Sequence, residues 1–458
     1  MYMKKPPSAE RQEPTRESWR RAAGGARVAV AARLWWRAAA ARAGAVCAMG
    51  LLAVAARAQT ALTWEQVKAR FEAGNPTLQA AQLNIDEDRA AEITAYLRPN
   101  PDLTVSTDGT QITPYAGIWR PLAGTDISTA FSYLHERQHK RELRLDSARK
   151  TTEIAGSTYQ DQERNLLFNL RSAFVETLQA KAVLENAREN LQYWDRELAV
   201  NRNRYRAGDL AQGDLERLEL QRAQFESDLI TATVNLRTAK IQLLMLLNLR
   251  TPLEPFDVTG PYDFVDELRP LEEFRRMALE SRPDLKAAVQ SVALAKTNHQ
   301  LAVANGSTDP TYSAWWTHNP SFNNPYDYET LGMSVTIPLR IFDRNQGEKA
   351  RTQIDIGRNE RLRDATQAQV FSDVDSAYVT LVSAVDLLRP YRDTYLKLAA
   401  SSRDRFAFSY RNGGASLLDY LDAEKSYRDT RLTYLNLIGS YLTAAAQMNM
   451  AVGREAIP

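Results

Sequence analysis

Cysteine is almost missing from this chain. The single one, Cys47, lies within the first 58 residues, so the remainder carries neither a thiol nor a disulfide and must be held by packing or by association of copies. Proline is missing over two long blocks: none occurs between Pro121 and Pro252, and only Pro390 interrupts the stretch from Pro338 to Pro458. Ordinary loop punctuation would divide blocks of that size into several short helices, so very long helices are predicted instead. No stretch approaches the ~20 consecutive apolar residues that a membrane-crossing helix needs. The four histidines, His135, His139, His299 and His318, show no metal-ligand spacing, and there is no P-loop, GxSxG or strand-linked GxGxxG. No catalytic residue, no cofactor and no metal site is therefore expected, and neither is an ATPase or hydrolase.

What is present begins with a leader. Residues 1–58 hold eleven basic side chains against three glutamates, with Arg37 and Arg42 before a 14-residue apolar run and Ala56-Arg57-Ala58 at its end. That is the order of a secretory signal, with cleavage expected before Gln59. Its removal takes a net +8 from a chain of +2 and leaves about −6, which argues against a nucleic-acid partner. The remaining chain, in a protein with 44% hydrophobic and 25% charged residues, is long enough to bury a large core.

The mature chain says nearly the same thing twice. Tyr205, Arg206, Gly208, Asp214 and Glu219 recur as Tyr410, Arg411, Gly413, Asp419 and Glu424, and Asn75-Pro-Thr-Leu78 is echoed by Arg282-Pro-Asp-Leu285. Two repeats follow, residues 59–260 and 261–458. Leu184, Ala187, Leu191, Trp194 and Leu198 step by three and four. After Gly208 the same alternation runs through Leu218, Phe225, Leu229, Ala232, Leu236, Ala239, Leu243 and Leu246, with Arg222 the one charged exception. Heptads of this length specify supercoiled helix pairs. A helix over residues 141–204 would reach about 96 Å, which suits a rod or tube.

Between the helical blocks lie short alternating segments near 103–109, 126–134, 310–317 and 330–338. Ile127, Thr129, Phe131 and Tyr133 alternate with Ser128, Ala130 and Ser132, and Leu331, Met333, Val335 and Ile337 with Gly332, Ser334 and Thr336. This is the period of a membrane-barrel strand, and equally of a soluble hairpin with one buried face. Trp119, Trp315 and Trp316 stand where interfacial aromatics would sit. Four strands cannot close a membrane barrel by themselves, because open edges leave backbone groups unsatisfied in lipid. The fold class is thus mainly α with a small β part, and several copies share one barrel. A coiled-coil scaffold with a minor hairpin domain is the competing reading.

Ile337-Pro-Leu-Arg-Ile-Phe-Asp-Arg-Asn-Gln-Gly347, which contains Pro338, Arg344, Asn345, Gln346 and Gly347, resembles the segment ending the last barrel strand in outer membrane factors. The match is to the heavy-metal-efflux, CzcC- and CusC-like branch of the TolC family. Lys140-Arg141-Glu-Leu-Arg144 resembles the family's GGKRxxR at the equivalent place in the first repeat, with Gln138 and His139 where two glycines are usual. Tyr410-x-x-Gly413 followed by Asp419-Tyr-Leu-Asp422-Ala423 resembles the turn and start of the pore-lining helix.

The resemblance implies a homotrimer with a twelve-stranded outer-membrane β-barrel and a periplasmic α-barrel. Its implied partners are a periplasmic adaptor, an inner-membrane pump of the resistance-nodulation-division type and outer membrane lipid. It also implies export of metal cations or other small toxic solutes, while drug efflux and type I secretion remain open on the same fold. It further implies that Arg206, Gly208, Leu210, Arg411 and Gly413 form an adaptor-binding tip. Asp419 and Asp422, one turn apart on one helix face, would stack two rings of carboxylates at a gate, with Asp214 their repeat-related partner. The same two aspartates also read as helix N-terminal carboxylates that favour the helix dipole and do nothing else.

Overall fold

The structure, a computed structural model, describes residues 61–122, 124–319 and 328–457. The expected leader, residues 1–58 with Cys47, lies outside the described residues. Helices α1 (Trp64–Gly74) and α2 (Pro76–Tyr96) precede strands β1 (Asp102–Asp108) and β2 (Asp126–Leu134), then helices α3 (Lys140–Ala207) and α4 (Gln212–Leu246). The same order returns as α5 (Leu271–Ser281), α6 (Pro283–Asn305), β3 (Thr311–His318), β4 (Glu329–Thr336), a two-part long helix α7 (Gln346–Pro390) and α8 (Leu396–Arg411), and α9 (Leu417–Val452).

Proline placement explains the breaks. Asn75 and Arg282 are extended residues ahead of Pro76 and Pro283, which open α2 and α6 at the position where a missing N–H does no harm. Helix α3 runs 68 residues without a proline, about 100 Å at 1.5 Å per residue. Its counterpart carries Pro390, whose absent N–H and ring crowd the preceding turn, and one π turn, Tyr391–Tyr395, absorbs the misfit before α8 resumes.

The heptad positions are where the helices meet. Leu184, Ala187, Trp194 and Leu198 of α3 are buried with Leu218, Phe225 and Ala232 of α4. A larger core joins Val370, Val374, Leu381 and Leu388 of α7 to Ile438, Tyr441, Met448 and Val452 of α9 and to Phe274 and Met277 of α5. Near the strands, the helices lie in the order α2, α3, α6, α7; farther along α3 the order is α4, α3, α9 and then α7 with α8.

The four strands form one antiparallel sheet in sequence order. Its register aligns Leu103, Phe131, Ala314 and Met333 across the sheet, and Val105, Thr129, Trp316 and Leu331 beside them. Thus one face collects the large apolar side chains, and the other collects Thr104, Ser106, Ser128, Ala130, Ser132, Ser313, Thr317, Ser334 and Thr336. Among the described residues nothing covers the apolar face: Leu103, Leu331 and Met333 are 70%, 77% and 79% exposed. A soluble hairpin would bury it, whereas lipid is the solvent such a face needs. Trp315 is a correction to the interfacial reading. Neighbouring residues of a strand point to opposite faces, so Trp316 shares the apolar face while Trp315 lies on the polar one, so close over Gly332 that a Cβ there would meet its indole at 2.3 Å.

Both ends of the assembly of elements are open. One edge consists of β1, α2 and α4, the other of β4 with α7 and α8. The helices at each edge carry exposed apolar residues: Leu83, Ile93, Ile230, Val234 and Ile241 at the first, Ile354, Leu362, Val379, Leu387 and Leu398 at the second.

Backbone strain concentrates where β2 passes into α3. Gln138 and His139 are consecutive left-handed residues, with φ of 60° and 56°. Each such non-glycine residue costs about 1–2 kcal/mol, part of which glycine's extra chain entropy would offset. The double replacement Gln138→Gly/His139→Gly is therefore expected to stabilise the fold by about 1 kcal/mol, seen as a higher Tm in calorimetry; an unchanged or lower Tm would contradict it.

Candidate functional site

Farthest from the sheet, α3 turns into α4 and α8 into α9, and both turns use the same device. Gly208 and Gly413 adopt φ of 85° and 74°, and the following N–H groups, of Asp209 and Gly414, donate to the carbonyls of Arg204 (2.9 Å) and Ser409 (2.8 Å). Only an αL residue ends a helix in this way, so the glycines are required by the turn itself.

Four aromatic rings tie the two hairpins together. Phe225 of α4, Trp194 of α3, and Tyr420 and Tyr410 on either side of the second turn form a continuous stack with centroid steps of 5.3, 6.2 and 5.3 Å. Trp194 donates to the Leu218 carbonyl at 3.0 Å, Tyr410 donates to Asn201 at 3.3 Å, and the Tyr193 and Tyr420 hydroxyls meet at 3.3 Å. Arg411 is ion-paired with Glu197, and Arg431 pairs with Glu189 at 2.5 Å. Burial, foremost, pushes the Tyr420 and Tyr410 hydroxyls up, so both remain neutral donors.

Asp419 is the third residue of α9 and completes a capping box. Its carboxylate accepts from the Ser416 N–H (3.2 Å) and hydroxyl (2.7 Å), while its own N–H donates to the Ser416 hydroxyl (3.2 Å). Asp422 follows one turn later, and both carboxylates are exposed. Asp214 lies in the first turn of α4, half-buried and 4.0 Å from Arg217. Of the expected tip residues, Arg206, Gly208 and Gly413 are exposed and Arg411 leans on Glu197, whereas Leu210 packs into the aromatic core. Leu418, exposed and apolar beside Asp419, was not anticipated, nor was the burial of Glu424.

At the other end of the helices, the junction motif works as scaffold. Lys140 is buried, with Nζ 2.5 Å from Asp309 and 3.1 Å from the Ser307 carbonyl, and Arg141 stacks over Tyr96 at 4.4 Å. In the second repeat Asn345, with φ of 61°, donates to the Ala302 carbonyl at 2.8 Å. Gln346 accepts from the Arg344 N–H at 2.8 Å, Gly347 lies in the first turn of α7, and Pro338 stands exposed before it. The histidines are scattered: His299 meets Thr352 at 3.0 Å and His318 meets Glu329 at 2.6 Å. Among the described residues no group of three or more His, Cys, Asp or Glu side chains is placed to hold a metal ion.

A family model described as "Outer membrane efflux protein" matches residues 68–249 and 275–454, once per repeat. The chain is 24% identical over 407 residues to the cobalt-zinc-cadmium resistance protein CzcC of Cupriavidus metallidurans, covering 86% of this chain and 90% of that one. It is 23% identical over 413 residues to the outer membrane protein TolC of Escherichia coli, covering 85% and 81%. Among solved structures, that of CusC superposes with a TM-score of 0.71 at 18% identity, covering 85% of this chain and 92% of that one. The helix and strand arrangement described above is thus shared with a known transmembrane channel.

Proposed function

The chain belongs to the outer membrane efflux protein family, an outer-membrane channel reaching into the periplasm, and from that premise we propose how it works and what it exports. Three copies close head to tail through the two open edges, giving twelve strands around water and a tube of helices below. The observation that carries this reading is the register of the sheet, which separates an uncovered apolar face from a polar one while leaving both β1 and β4 unpaired on one side. The chain divides at 260/261 into two repeats and catalyses no reaction of its own.

Energy for transport comes from an inner-membrane pump of the resistance-nodulation-division type, joined through a periplasmic adaptor. The turns at Arg206, Gly208, Leu210, Arg411 and Gly413 are the adaptor's contact. Asp419 and Asp422 form two stacked carboxylate rings at the closed mouth, with Asp214 at their side, and the rings favour cations. Lys140, Arg141, Pro338, Arg344, Asn345, Gln346 and Gly347 hold the strand-to-helix junctions in register. Metal cations are the cargo class that the CzcC relationship supports, with other small toxic solutes next.

Two measurements test this reading. Asp419→Asn/Asp422→Asn channels in planar bilayers should lose cation preference several-fold; traces like those of the unaltered protein would refute the gate assignment. Deleting the gene should lower growth in Co, Zn, Cd, Cu or Ag, and sensitivity confined to organic toxicants would move the cargo away from metals.

A further inference from the structure

Glu424 has no role in the tip as described so far, and its surroundings are unusual. It lies on α9 one turn after Tyr420, is 3% exposed, and its Oε2 is fully buried with no hydrogen-bond partner. An ionised carboxylate in that position is expensive unless a cation answers it.

None of the nearby cations hydrogen-bonds that oxygen, although the charges of Arg403 and of Arg428, whose own Nη1 is buried without a hydrogen-bond partner, act on it. Arg403 of α8 bonds Asp404 at 2.8 Å and lies over the Tyr427 ring at 4.0 Å. Arg428, one turn farther along α9, reaches Asp429 at 3.4 Å and Asp228 of α4 at 3.7 Å. From α3 come Tyr193 and a second buried carboxylate, Glu197, whose ion pair is with Arg411. Glu219, the repeat-related counterpart of Glu424, is by contrast exposed and bonded to Arg202 at 2.9 Å. Of this repeat-related pair, only the glutamate on the hairpin that carries Asp419 and Asp422 is buried.

We propose that Glu424 is a proton-operated latch: as the neutral acid it lets the α8–α9 hairpin pack against α3 and holds the mouth closed, and its ionisation loosens that packing. The proposal rests on the reading of this tip as the gate. Burial, the largest influence, pushes the Glu424 carboxyl up to about 7, with Arg403 pulling it down and Glu197 pushing it up. Released to water by opening, it would return to its ordinary value of 4.5.

The closed form therefore holds a proton that the open form gives up. Its advantage is complete below about pH 4.5, declines as pH rises from there to about 7, and stays low above. That shift alters the open-to-closed ratio by up to about 300-fold per protomer.

Open probability in planar bilayers, followed from about pH 5 to about pH 8 at constant salt, tests the latch. The unaltered channel should open far more often at the alkaline end, with the change falling between about pH 4.5 and about pH 7. Glu424→Gln, isosteric and always neutral, should stay at the low acid-side level throughout, while Asp419→Asn/Asp422→Asn should keep the step. A step in that window that persists in Glu424→Gln overturns the proposal and leaves the gate assignment standing. A step that vanishes in Glu424→Gln, with conductance and selectivity unaltered in the aspartate variant, keeps the latch and removes the gate. Infrared spectra supply a readout independent of gating: near pH 6 the protonated-carboxyl band should be present in the unaltered protein and missing in folded, trimeric Glu424→Gln. The same band in both overturns the latch.

Discussion

Replacing Arg282 with alanine should destabilise the protein by about 3–5 kcal/mol, the range for removing one partner of a buried ion pair. Its guanidinium, 3% exposed, lies 2.6 Å from Asp284 and 2.8 Å from Asp373 of α7, and it also donates to the Ala451 carbonyl at 3.2 Å. Arg164 of α3 reaches the same cluster, 4.0 Å from Asp284 and bonded to the Met450 carbonyl at 2.7 Å. Helices α6, α7 and α9 thus meet at Arg282, and α3 joins the cluster through Asp284. Alanine would leave half-buried Asp373 without its cation and Asp284 with Arg164 alone, 4.0 Å away.

The pH dependence of the same cluster has a defined sign. Burial, the largest single influence, raises the Asp284 pKa, but the hydrogen bond and charge of Arg282, the charge of Arg164 and the Leu285 N–H together outweigh it and hold the carboxyl below its ordinary value. Its contribution is therefore present above the ordinary carboxylate range and lost as pH falls through the lowered one. Urea unfolding in detergent should show the loss for Arg282→Ala at neutral pH and a smaller difference from the unaltered protein in acid. A change under about 1 kcal/mol at neutral pH would mean that the pair is not what joins these helices. Adding Asp284→Asn and Asp373→Asn to the alanine variant should recover part of the loss, because the penalty lies in the unpaired charges.

How much of this was legible beforehand depended on whether the information was periodic. Missing prolines announced the long helices, and the heptad from Leu218 to Leu246 marked the face that meets α3. Alternation placed Ile127, Phe131, Leu331 and Met333 on one sheet face. It also implied that Trp315 and Trp316 must part company, a consequence hidden by the identity of the two residues. Repeat symmetry was a weaker guide, because equivalent positions meet unequal neighbours: Asn75 caps a helix with its side chain, while Arg282 turns inward to two aspartates. Glu219 and Glu424 diverge in the same manner. Glu424 is covered by Tyr193 of α3 and Arg403 of α8, so its burial depends on contacts over hundreds of residues of chain, which no local pattern encodes.

Trp194→Ala should open the mouth. The indole is fully buried at the centre of the four-ring stack, and a large aromatic truncated to alanine costs about 3–5 kcal/mol when the surroundings cannot collapse into the space. Collapse is incomplete here, since Phe225 and Tyr420 are held on separate helices, and the Leu218 carbonyl would also lose its donor. The loss is local: the cores around Leu381 and Met448, and around Phe71 and Leu243, share no residue with the tip, so the chain should still fold and assemble. If the α8–α9 hairpin swings away from α3 on opening, the stack exists in the closed form alone, and its removal should raise the open-to-closed ratio by about 100-fold or more. Conductance traces decide the matter. Trp194→Ala channels should dwell open without an adaptor, and Trp194→Phe, which keeps a ring in the stack, should fall between. Closed traces from a folded Trp194→Ala trimer would show that the hairpins are held together elsewhere, by Arg411 with Glu197 and Arg431 with Glu189, and would transfer the gate to those pairs.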